Sequence, residues 1–115
     1  MKLLMHILKK NDKLKIDNTK IRLSEILPKL EEEYEEVVRA IVIYVNYRTL
    51  LNLKEVIAET FDLIQICILI LWRCNSYAVT LDEPRLIAEV NIAHKDKLSE
   101  SAWIIETGIE IDIKE

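Results

Sequence analysis

The sequence predicts an all-α protein, an antiparallel bundle of three to four helices, on three observations. The 115 residues include one glycine and two prolines. That is too little turn chemistry for a many-stranded sandwich or barrel, which needs a tight corner about every ten residues. The apolar residues Leu27, Leu30, Tyr34, Val37, Ile41 and Tyr44 step by three and four, the period of an amphipathic helix. Helix-start signals stand before two further helical stretches: Asn52 with Glu55 three residues on, and Asp82 ahead of Pro84. No linker or low-complexity segment interrupts the chain, so one helical domain over residues 1–115 is expected, with its core at about 22–100.

Taken in order, residues 1–17 read as a basic lead-in in which Leu14 and Ile16 alternate with Lys13 and Lys15 as a short strand. Asn18 or Thr19 is the expected cap of a first helical turn, and Pro28 stands near the start of the next helix or kinks a continuous one. The amphipathic stretch then ends near Tyr47. With Asn52 as cap, a second helix is expected from Leu53 to about Cys74, apolar nearly all round from Ile64 to Trp72. Such a helix suits a position among others, or one shared with another subunit. Asn75, Ser76 and Tyr77 are the expected break, and Asp82 the cap of a third helix running to about Ser99. In the tail, Ile109, Ile111 and Ile113 alternate with Glu110, Asp112 and Lys114, predicting a short C-terminal strand that would pair with the Leu14–Ile16 region.

Sixteen basic residues against twenty acids give a net charge of −4, which argues against binding to nucleic-acid phosphates. The most apolar segment, Val56 to Trp72, contains Glu59, Asp62 and Gln65 and so falls short of a membrane span. No apolar run in the first ten residues reaches signal-peptide length. Cys67 and Cys74 lie seven residues apart on one expected helix, roughly 10 Å along its axis, too far to bridge. A reduced, cytoplasmic protein is expected. A chain of this size buries only about 60–70% of its unfolded surface, so a homodimer or homotetramer is expected to complete the core, around the face from Ile64 to Trp72.

The acids carry the functional signal. Glu33 and Glu36 recur 26 residues later as Glu59 and Asp62, in a shared pattern of acid, two residues, acid, two apolar, one polar, two apolar. Acids three apart lie on one helix face. Two helices joined by a short connection near Arg48–Leu51 run antiparallel and bring the four carboxylates together. The run Glu31–Glu33 with Glu35 and Glu36 has the composition of a solvated face. Glu59 and Asp62 resist that reading, because they are flanked by Val56, Ile57, Ala58, Phe61, Leu63 and Ile64, with no basic residue between Lys54 and Arg73. Ionised carboxylates beside buried surface cost several kcal/mol unless compensated. A divalent cation would compensate them, and oxygen-only donors suit Mg2+, with Mn2+ as the alternative, rather than zinc.

These residues resemble a known family. Lys29-Leu30-Glu31-Glu32-Glu33-Tyr34-Glu35-Glu36, followed after a gap by Glu59-Thr60-Phe61-Asp62, is similar to the ExxE…ExxD signature of the MazG-like, all-α nucleoside triphosphate pyrophosphohydrolases. The 22 residues between Glu36 and Glu59 fit that family's gap. His94-Lys95-Asp96-Lys97-Leu98 and Trp103 resemble its phage-type ending, with Lys95, Ser101 and Ala102 standing where that ending has Asn, Arg and Gly. The resemblance spans Lys29 to Trp103 and implies a MazG-like domain that hydrolyses a nucleoside triphosphate to the monophosphate and pyrophosphate with Mg2+. It implies Glu33, Glu36, Glu59 and Asp62 as metal ligands and Lys97 as a phosphate contact. Glu32 and Glu36 are the candidates for the general base, and Lys29, a turn before Glu33, is in position to reach a phosphate. Trp72, Trp103, His6 and His94 read as packing or surface residues.

Overall fold

The computed structural model describes residues 3–110. In order they form β1 (Lys10–Asn11), β2 (Ile16–Asp17), α1 (Leu23–Asn46), α2 (Leu50–Thr80) and α3 (Leu86–Glu100). The protein is mostly helical, with three helices and one two-stranded ribbon among the described residues. It divides into two compact units. Residues 6–74 hold the ribbon, α1 and α2 as far as Cys74, while residues 3–5 and 75–110 hold the end of α2 and α3.

The lead-in folds on itself. β1 and β2 pair antiparallel with Lys10 opposite Asp17 and Asn11 opposite Ile16. Leu14, expected in a strand, instead lies in the turn, where its N–H donates to Asn11 Oδ1 at 3.0 Å. Lys15 takes a positive φ of 55° to complete the reversal. The ribbon's partner is therefore its own neighbour. Of the expected C-terminal strand, Ile109 and Glu110 have no regular structure and Ile111–Ile113 lie outside the described residues. Two side chains of α2 hold the lead-in: Gln65 Nε2 donates to the His6 carbonyl at 2.6 Å, and Arg73 donates to the Ile21 and Thr19 carbonyls at 2.9 and 2.8 Å.

Helix α1 starts at Leu23 after Arg22, not at the expected Asn18 or Thr19. Thr19 is committed elsewhere: its N–H and hydroxyl both donate to Asp17 Oδ1, at 3.0 and 2.6 Å. That pair of bonds holds the Asp17 carboxyl below its ordinary range, the hydroxyl contributing most. In place of a capping side chain, the start of α1 has Glu25 in its first turn, paired with Arg22 at 2.7 Å. A carboxylate there also complements the positive end of the helix dipole. Pro28 lies inside the helix, which continues past it without the bond that Pro28 would otherwise donate to the Ser24 carbonyl.

The apolar stripe expected along α1 is two stripes. Ile26, Leu30, Glu33, Val37, Ala40 and Tyr44 alternate buried and half-buried along one seam. Leu27, Glu31, Tyr34, Val38, Ile41 and Val45 form a second seam one residue over, and all six are exposed. Each seam steps four, three, four, three, four, the spacing that keeps side chains on one line of a helix. The first is the inner seam, and Glu33 occupies a place in it that an apolar residue would ordinarily fill.

After the connection Tyr47–Thr49, α2 begins three residues earlier than expected. Its cap is Thr49, whose Oγ1 accepts from the Asn52 N–H at 3.1 Å, while the Asn52 side chain reaches back to the Tyr47 carbonyl at 2.8 Å. Asn52 is thus the third residue inside the helix and not its cap. Asn75, Ser76 and Tyr77 do not end α2, because no glycine or proline forces a break; the helix runs to Thr80. Asp82 is its terminator. Asp82 has φ 60°, the Glu83 N–H bonds the Ala78 carbonyl, and the Asp82 N–H bonds the Val79 carbonyl, the paired bonds of a Schellman ending. A residue closing α2 in the left-handed region cannot also cap α3, which opens after Arg85 with Pro84 just outside it. Helix α3 closes the same way: Ala102 has φ 64° and the Trp103 N–H bonds the Leu98 carbonyl.

No helix among the described residues is long and apolar enough to cross a membrane. The stretch Ile64–Trp72, expected to be an unfinished face, is buried or half-buried except at Cys67 and Leu71. The uncovered apolar surface of this unit lies instead on α1.

Candidate metal centre

Three residues between α1 and α2 turn the chain back, and the two acid pairs thereby meet. Glu33, Glu59 and Asp62 each offer a carboxylate oxygen, and these oxygens all lie within 4.8 Å of one another. Glu36 adjoins them: its carboxyl donates a hydrogen bond to Glu59, and the charge of Glu33 also acts on it. Glu36 meeting Glu59 is the register expected of an antiparallel pair. A cavity of about 310 Å³ lined by Glu36, Arg39, Ile43, Asn52, Glu55 and Glu59 continues from there toward the connection.

The acids differ in exposure. Glu33 is 6% exposed, Glu36 and Glu59 are half-buried, and Asp62 is exposed. Glu33 Oε2 and Glu59 Oε2 are both buried and accept no hydrogen bond. A buried acceptor without a donor ordinarily costs about 1–3 kcal/mol, more when charged, so two of them facing one another need an external partner. Glu33 Oε1 does have one, the Lys29 ammonium at 2.9 Å, which also stands 3.5 Å from Glu32 Oε2. The bond to Glu33 raises the Lys29 pKa above its ordinary value against the opposing effect of burial. The Glu36 carboxyl is pushed up to about 7, first by its hydrogen bond to Glu59, then by desolvation and by the charge of Glu33.

The sequence-derived candidates thus sort out. Glu33, Glu36, Glu59 and Asp62 come together, and Lys29 joins them through Glu33. Glu32, exposed and paired with Lys29, stands outside the cluster. Lys97 is an exposed residue of α3, in the unit of residues 75–110. The neutralising role of Lys29 is invisible along α2 alone; the four-residue spacing from Lys29 to Glu33 was its signal. Arg39, lining the adjoining cavity, carried no spacing signal of its own. Cys67 and Cys74 are both free thiols.

The donor set fits a divalent cation. All-oxygen ligands from several carboxylates, with buried lone pairs left unpaired, are the coordination that hard cations take. No protein-family model matches the chain, and neither the curated proteins nor the solved structures yield a match.

Proposed function

We propose that this chain is a Mg2+-dependent nucleoside triphosphate pyrophosphohydrolase with a MazG-like helical domain, acting in the cytoplasm as a homo-oligomer. The observation that carries the reading is the meeting of two acid pairs with two buried carboxylate oxygens unpartnered. The order and spacing of those pairs, and the ending His94–Trp103, supply the resemblance. Glu33, Glu59 and Asp62 hold the cation, with Glu36 as the fourth carboxylate. Mg2+ is preferred, and Mn2+ is the alternative. When bound, such a cation screens the triphosphate and lowers the pKa of a coordinated water.

The chain's own residues then have distinct tasks. Glu36 accepts the proton of the attacking water, because it borders Glu59 and opens on the adjoining cavity. Glu32, the other candidate base, is turned to Lys29. Lys29 is half-exposed and becomes available to a phosphate oxygen once Glu33 has another positive partner. Lys97 is the further phosphate contact that the resemblance assigns. Water adds at phosphorus, the bridge between the α and β phosphates breaks, and pyrophosphate leaves with the monophosphate as the second product.

Replacing Glu59 or Asp62 by the corresponding amide should abolish pyrophosphate release and Mg2+-induced thermal stabilisation together. Unchanged activity in both variants would sink the proposal. A second reading, a non-enzymatic helical oligomer or partner-binding module that keeps the acids as a relic, is favoured by Ser101 in place of the family's Arg, since loss of that residue removes a bidentate phosphate donor. Titration calorimetry with Mg2+ or Mn2+ and a non-hydrolysable triphosphate separates the two: binding supports the enzyme, and absence of binding supports the relic.

A further inference from the structure

The second seam of α1 is a surface built for another helix. Tyr34, Val38, Ile41 and Val45 are 59, 41, 44 and 57% exposed, on the steps of four and three by which one helix packs into the holes of a neighbour. The inner seam, one residue over, already serves the unit's own core. Four large apolar side chains in line, on a helix that is well formed without them, are not explained by folding of the single chain.

We propose that this seam docks on its own copy, with the two α1 helices antiparallel about a two-fold axis. Charge decides both the occupant and the direction. From Glu31 to Glu36 the helix carries Glu31, Glu32, Glu33, Glu35 and Glu36, whereas Val37–Asn46 carries no acid and one cation, Arg39, with Arg48 just beyond. Parallel copies would set the acidic halves against each other. Antiparallel copies set each acidic half against the other's basic half, and like-charge contact is avoided. The seam also selects its register. Placing Val38 opposite Ile41 of the second copy sets Tyr34 opposite Val45, so every apolar layer is matched. The next layer out then puts Glu31 near Arg48, an ion pair closing each end. A slip by one layer in one direction sets Glu31 against Ile41, and in the other Arg48 against Val38, leaving a charge on an apolar side chain. A two-fold axis makes each contact occur twice, so one stretch of one helix supplies the whole interface. This surface is independent of the acid cluster and of the chemistry proposed for it.

Sedimentation equilibrium of the full chain at tens of micromolar tests the proposal. The wild type should show twice the 13.5 kDa chain mass, and Val38→Lys and Ile41→Glu should each show a single chain with unchanged helical circular dichroism. Glu31→Arg should raise the dissociation constant about tenfold or more, and adding Arg48→Glu should restore most of the loss. A monomeric wild type, a dimer that survives both Val38→Lys and Ile41→Glu, or a charge swap that fails to restore association would overturn it. Loss of pyrophosphate release without loss of the dimer would count against the enzyme and leave this interface standing.

Discussion

Glu59→Gln should have opposite effects on stability and on function, and the sign of each can be worked out from the cluster. Glu59 Oε2 is buried without a donor among oxygens that lie within 4.8 Å of one another. The amide has the same shape, loses the charge and places an N–H donor among those oxygens. Relieving a buried, unpaired acceptor is worth about 1–3 kcal/mol, and at this chain length each kcal/mol moves the midpoint by roughly 4 °C. The metal-free variant should therefore melt about 4–12 °C above the metal-free wild type. Mg2+ reverses the order. At a hundred times its dissociation constant a ligand adds about 2.7 kcal/mol, roughly 10 °C for the wild type and nothing for a variant that has lost a ligand. Differential scanning calorimetry of both proteins, in EDTA and in excess Mg2+, reads all four midpoints. A metal-free variant that melts below the wild type would show that the Glu59 carboxylate is already satisfied by its neighbours. Equal Mg2+ shifts in the two proteins would remove Glu59 from the metal site.

Other outcomes rest on single residues. Glu36 titrates near 7 in the folded protein and near 4.5 when unperturbed, so the folded state holds the extra proton between those values. Metal-free stability should accordingly be highest at the acid end of that window and fall as pH rises through about 7; Glu36→Gln should flatten the profile in urea titrations at pH 5 and 8. Ala102 closes α3 at φ 64°, a region that costs a residue with a Cβ about 1–2 kcal/mol, so Ala102→Gly should raise the unfolding free energy by about 1 kcal/mol after the greater entropy of an unfolded glycine is deducted. A destabilised Ala102→Gly would argue against that ending. Thr49→Ala removes the α2 cap and should cost about 1 kcal/mol by the same denaturant measurement. Glu32→Gln should leave pyrophosphate release largely intact while Glu36→Gln abolishes it; the reverse result would exchange their roles.

How far the sequence could be read depended on how local each signal was. The helical class, the extent of α1 and the pairing of Glu33 and Glu36 with Glu59 and Asp62 were legible, because a period of three to four and an offset of 26 residues are properties of the string. Helix ends were not. Asn52 and Asp82 are good caps by residue type, yet Thr49 took the first role, and Asp82 took a left-handed turn at the other end of a helix. Asn and Asp serve either end, and the backbone's hydrogen-bond partners choose between them.

The sequence by itself determined that carboxylates would lie three apart on facing helices, one pair in an apolar context. Only the tertiary structure decided which of them are buried, that Lys29 satisfies one oxygen of Glu33, and that one oxygen each of Glu33 and Glu59 has no partner. It also divided the single expected stripe of α1 into an inner seam and an exposed one, and moved the uncovered apolar surface from Ile64–Trp72 to Tyr34–Val45. The reason is geometric. A helical period fixes which side chains share a face, but the rotation of the helix against its neighbour decides which of two adjoining faces is covered, and that rotation is set by packing across the pair.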